Sequence, residues 1–129
     1  MPSKLVDFKL DNGETIKVAE QVAEYLNRYL PCIRKIESID TLILFGSALE
    51  ERYTPGKSDI DLMYITEDKD RLVDEMVEEQ YKDCYTFFDM GISTDELVFT
   101  AELNQISTEL TYEIITKGKV IYRRDWNKR

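Results

Sequence analysis

The chain has 129 residues and a mass of 15.2 kDa, the size of one compact domain. Hydrophobic residues make up 43% and charged residues 33%, enough for a core and a soluble surface, and no apolar run is long enough to span a bilayer. A net charge of −9 argues against a nucleic-acid track, and the lack of histidine excludes His-based triads and imidazole zinc sites.

The opening stretch, MPSKLVDFKLD, has no apolar signal segment, so a cytoplasmic location without a membrane is expected. Residues Lys4 to Leu10 and Thr15 to Lys17 flank Asp11-Asn12-Gly13-Glu14 and are predicted to form a hairpin around an Asn-Gly turn. From Val18, the apolar positions Val22, Leu26 and Tyr29/Leu30 continue a helical stripe that Pro31 is expected to end. Ile33 to Ile39 reads as another short helical piece. Thr41 to Phe45 is a short apolar run stopped by Gly-Ser, a buried strand followed by a tight turn and a helix start. Ile60 to Ile65 is the next strand, apolar on both faces behind a charged entrance, which predicts a central position.

Lys69 to Tyr81 reads as a surface helix with Leu72, Val73, Met76 and Val77 on one side and a solvated acidic face on the other. Cys84 to Met90, rich in Tyr, Thr and Phe, is predicted as a third strand. Ser93 with Glu96 three residues later has the pattern of a capping box opening a long helix, striped by Phe99, Leu103, Ile106, Leu110 and Ile114 and stopped by Gly118. Lys119 to Arg123 is a last edge strand. Cys32 and Cys84 have no metal-ligand spacing and read as two reduced core thiols. The fold class is α/β (α+β), a small mixed sheet with helices packed on it, in a single domain over residues 1–129.

Chemistry concentrates in Leu42 to Ile65. On a strand, positions i and i+2 share a face, so Asp59 and Asp61 are neighbours roughly 6.5–7 Å apart along the chain. Two carboxylates so placed repel each other, and a divalent cation with a preference for oxygen ligands resolves the repulsion. Alone, Asp-Ile-Asp reads as well as the solvent-edge start of a strand. At the other end of residues 48–58, Gly46 lets backbone approach a ligand, and the N–H groups of a helix start and the Ser47 hydroxyl suit an anion. A phosphate cradle and a carboxylate pair thus flank one loop.

The stretch Leu44-Phe45-Gly46-Ser47, followed by Ser58-Asp59-Ile60-Asp61-Leu62, resembles the signature of the polymerase-beta-type nucleotidyltransferases, and of their minimal members in particular. The likeness covers roughly Thr41 to Arg123, including the terminal KGKVIYRR. It implies the polymerase-beta-like fold, with a catalytic core over residues 41–123 and the hairpin and helix of residues 1–40 as an addition. It also implies transfer of a nucleoside monophosphate from an NTP, ATP foremost, to a hydroxyl. Two Mg²⁺ ions would sit on Asp59, Asp61 and a third carboxylate, for which Phe87-Phe88-Asp89-Met90 offers Asp89. The nucleotide would lie at Gly46, Ser47 and Ser58, with Arg52 or Lys57 as its cation. Glu50 and Glu51 stand where the family often carries a small residue and an Arg.

For the three carboxylates to meet, the Asp59 strand is expected to lie between the other two and run antiparallel to both. Families of this size are often paired with a helical HEPN-type partner protein. Two further functions therefore stand beside catalysis: an antitoxin-like binder of such a partner, or an inactive nucleotide sensor, which Glu50 and Glu51 favour. A chain this small leaves no room for a domain that would read a base or enclose a drug, so a protein acceptor is expected.

Overall fold

The computed structural model describes residues 3–82, 92–100, 112, 114 and 116–127. Strands β1 (Leu5–Lys9) and β2 (Thr15–Ala19) pair antiparallel around the expected turn. Gly13 adopts φ +92°, and the Asn12 side chain accepts from the Glu14 N–H at 2.9 Å. Helix α1 (Glu20–Ile33) buries Val22, Tyr25, Leu26, Tyr29, Leu30 and Ile33, a stripe of helical period. It runs two residues beyond Pro31, which lies in its last turn. The proline's missing N–H leaves one hydrogen bond unmade at the helix end, and the helix stops two residues later. Residues 34–40 form turns, not the expected helical piece, while still burying Ile36 and Ile39.

The main sheet has the order β5-β4-β3-β6, with β3 (Thr41–Phe45), β4 (Asp59–Ile65), β5 (Ser93–Phe99) and β6 (Lys119–Arg123). β3 runs antiparallel to both β4 and β6, so β4 lies inside the sheet and β6 at its edge, as their patterns predicted. On its other side, β4 pairs with β5 in parallel, residue for residue from Asp59↔Ser93 to Ile65↔Phe99. A parallel neighbour needs a crossover, and α2 (Lys69–Lys82) lies within it. This corrects two expectations. Ser93 to Phe99 is a strand where a capped helix was predicted, and the central strand is not antiparallel to both neighbours.

The cause is visible in the two capping-box residues. The Ser93 hydroxyl donates to Asp59 on β4, and Glu96 accepts the Tyr64 hydroxyl at 2.9 Å. Both side chains are committed across strands, and Leu97-Val98-Phe99 favours a pleated surface. Residues 112, 114, 116 and 117 are helical, consistent with the far end of the predicted helix. Gly118 follows them without a left-handed φ; a β-carbon there would approach Ile114 O at 2.5 Å and Ile43 Cγ2 at 3.0 Å. Its value is close passage between helix and sheet. The predicted strand from Cys84 to Met90, and Asp89 with it, falls outside the described residues.

The sheet has two unlike faces. Leu42, Leu44, Ile60, Leu62, Tyr64 and Tyr122 pack with α1 and Leu72 of α2 in the principal core. On the other face Phe45, Met63 and Ile114 form a smaller cluster with Ile43, Leu97 and Phe99. α2 keeps Leu72 fully buried, whereas Val73 and Val77, expected on the same side, are about half exposed. Among the described residues no helix is long and apolar enough to cross a membrane. The expected pair of reduced thiols takes in Cys84, which lies outside the described residues; Cys32 is buried in the last turn of α1.

In the principal core, Tyr29 and Tyr64 join hydroxyl to hydroxyl, and Tyr64 continues to Glu96. Burial, reinforced by Glu96, raises Tyr25, Tyr29 and Tyr64 above the ordinary tyrosine value near 10; the neighbouring tyrosines add to the rise at Tyr25 and Tyr64 and oppose it at Tyr29 through their hydrogen bonds. The folded chain therefore keeps these protons where the unfolded chain loses them. Their contribution to stability is intact below pH 10 and is lost as pH rises beyond it. Alkaline titration followed by tyrosinate absorbance and circular dichroism should show these three ionising only as the fold is lost. Ionisation of all eight tyrosines with the dichroism unchanged would contradict this.

Candidate active site

The β3–β4 register sets Phe45 opposite Asp61, so the carboxylate meets the chain as it leaves β3. There Gly46 takes φ +75°, a region open to glycine at little cost, and a β-carbon would overlap Asp61 Oδ2 and lie 3.1 Å from its Cγ. The Asp61 side chain thus lies against bare backbone. This contact ties the Gly-Ser turn to the carboxylate pair.

Gly46 opens a four-residue 3₁₀ turn, Gly46–Leu49, and not the helix expected from the sequence. The turn closes when Glu50 N–H donates to Ser47 O at 2.9 Å, and the chain is extended again at Glu50. An anion here would be met by a few local N–H groups and the half-exposed Ser47 hydroxyl, without a helix dipole behind them.

The intervening loop is fastened at both ends. Ser58 Oγ accepts the Thr54 N–H at 2.8 Å, and Ser58 N–H donates to Thr54 O at 2.8 Å, so Ser58 closes the turn before β4. Ser3 Oγ donates to Tyr53 O at 2.6 Å, and Ser3 N–H to Glu51 O at 2.7 Å, attaching the loop to the N-terminal segment. Arg52 folds back on Glu50 in an exposed ion pair, and Lys57 is exposed near the loop tip.

Pleating puts Asp59 and Asp61 on the same face as Phe45 and Met63, away from the principal core. The parallel ladder adds Ser93 opposite Asp59 and Asp95 opposite Asp61 on that face. Sequence reasoning missed Asp95. The available signal was Asp95-Glu96-Leu97-Val98, an acid followed by apolar residues much as in Asp61-Leu62-Met63. The structure therefore gathers Gly46, Ser47, Asp59, Asp61 and Asp95 at one end of three adjacent strands, while Ser58, Arg52 and Lys57 remain on the connecting loop.

These groups offer carboxylate oxygens, the donors that Mg²⁺ takes, so the chemistry of the set fits that ion. Their side chains are not drawn together here. Among the described residues no three carboxylates converge closely enough to share a metal, and Asp59 turns to Ser93 instead.

Residues 20–127 match the family of polymerase beta nucleotidyltransferases. The chain belongs to that family. The match takes in α1 and leaves the β1–β2 hairpin outside it. No curated protein matches the chain.

Among solved structures, a mutant of the toxin–antitoxin pair MntA–HpeT is similar at 18% identity and a TM-score of 0.49, covering 75% of this chain and 72% of that one. A toxin–antitoxin structure with AMP-PNP is similar at 19% identity and 0.49, with the same coverages. A tri-AMPylated HEPN toxin of Shewanella oneidensis in complex with its MNT antitoxin follows at 20% and 0.45, covering 80% and 72%.

Proposed function

We propose that this chain is a minimal nucleotidyltransferase that moves AMP from ATP to a hydroxyl on a partner protein, using Mg²⁺ held by Asp59 and Asp61. The observation that carries this reading is the Asp61 carboxylate lying against the Gly46 backbone, with Asp59 on the same face, in a chain of this family. When bound, the metal ions supply charge neutralisation at the attacking and leaving oxygens.

The chain's own groups do the positioning. Backbone at Gly46 and the Ser47 hydroxyl orient the triphosphate. Asp95, in register with Asp61, joins Asp89 as a candidate for the third carboxylate, whose Oδ atoms accept the proton of the attacking hydroxyl. That oxygen bonds to the α-phosphorus as the bond to the β-phosphate oxygen breaks, and pyrophosphate leaves with both electrons of that bond. A surface of net charge −9 repels a nucleic-acid backbone, which favours a folded protein acceptor of the helical HEPN type, with a tyrosine hydroxyl as its acceptor group.

A second reading, an antitoxin-like binder or a nucleotide sensor without turnover, is favoured by Glu50, whose carboxylate borders a cavity beside Gly46. Incubation with radiolabelled ATP and Mg²⁺ tests both. Label is expected on a helical partner protein and not on a tRNA pool or an aminoglycoside. Label on RNA or drug but never on protein defeats the acceptor assignment. Label on no acceptor while ATP is bound selects the second reading.

A further inference from the structure

Gly46 has a second neighbour. It also borders an open cavity of about 550 Å³, walled by β2 and by the start of β6, and within the size range of ligand pockets. In a strongly acidic chain, this cavity brings together Lys17, Lys117 and Lys119. Lys17 is paired with Asp7 at 2.6 Å, whereas Lys117 and Lys119 make no ion pair among the described residues. Thr116 spends its hydroxyl on Tyr112 O at 2.7 Å, and the Glu50 carboxylate, the one acid among the described residues of the lining, is held by Arg52. Among the described residues, the unspent charge facing the cavity is therefore positive. Arg52 and Lys57, the cations expected from the sequence, do not line it.

Resting on the nucleotide reading above, we propose that the β- and γ-phosphates of the NTP occupy this cavity, with Lys117 and Lys119 as their cations and the β2 hairpin strand as its outer wall. With the α-phosphate near Asp61, which packs on Gly46, the cavity bordered by the same glycine is the adjoining space for the rest of the triphosphate. β2, the outer wall, lies outside the region matched to the family.

Calorimetric titration of ATP–Mg²⁺, AMP and inorganic tripolyphosphate against the full chain tests it. The double substitution Lys117→Ala/Lys119→Ala should weaken ATP and tripolyphosphate by about tenfold or more and AMP by less than about twofold. Lys117→Arg/Lys119→Arg should restore most of the loss, and Lys57→Ala, away from the cavity, should change either by less than about twofold. Both lysines are exposed, so an unchanged thermal melt is expected to accompany the lost affinity. Unchanged ATP and tripolyphosphate affinity in the lysine variant overturns the assignment, as does equal loss of AMP or a wild-type chain that binds no tripolyphosphate. Tripolyphosphate bound through these lysines without any AMP transfer upholds the cavity and removes the transferase reading; transfer indifferent to the lysines does the reverse.

Discussion

Gly46→Ala is expected to inactivate the protein while leaving it folded. At φ +75° a non-glycine residue costs about 1–3 kcal/mol, which denaturant unfolding reads as a lowered midpoint with an unchanged slope. The larger effect is local. The new methyl group occupies the space of Asp61 Oδ2, and backbone cannot yield as a flexible side chain does, so the carboxylate must swing away. Displacing a catalytic group by about 1 Å can cost about 10²-fold, and here both the triphosphate path and the metal ligand move, so transfer should fall by at least that factor. A variant that keeps full activity would show that the Asp61–Gly46 contact is only a packing detail.

Removing the charge of the pair gives the second large effect. Asp59→Asn/Asp61→Asn keeps the shape of both side chains, and neither is part of the principal core, so the melting temperature without ligand should hold or rise as like-charge repulsion disappears. Thermal stabilisation by ATP with Mg²⁺ should vanish, because stabilisation by a ligand is limited by its affinity. Transfer should drop on the order of 10³-fold or more, since a metal at such a site supplies several kcal/mol of barrier lowering. An undiminished thermal shift in the double variant would remove the metal from these residues.

What could be read in advance divides along the range of the interactions involved. The hairpin turn, β3, β4 and β6 are written locally, in an Asn-Gly pair, short apolar runs and their breakers, and the structure has them where expected. The capping-box pattern at Ser93 and Glu96 is equally local, yet it was outweighed. Those side chains found Asp59 and Tyr64, partners more than thirty residues distant, and a strand resulted. Once that segment is a strand, its register selects Asp95, a position no spacing rule singles out. The Gly-Ser and Asp-x-Asp motifs were legible as chemistry. That Asp61 presses on Gly46, and that lysines from both ends of the chain line the space beyond, depends on how β2, β3 and β6 are brought together.

The alternation along β4 has a consequence for how such a chain changes over time. In the proposed mechanism its odd-numbered acids, Asp59 and Asp61, answer to ligand chemistry, while its even-numbered Ile60, Leu62 and Tyr64 answer to the fold, with almost no position serving both. Selection on catalysis and selection on folding therefore act on interleaved but separable letters of the same strand. A lineage that loses its two aspartates should keep the scaffold intact and remain free to act as a binding protein, whereas one that loses Leu62 loses both capacities at once.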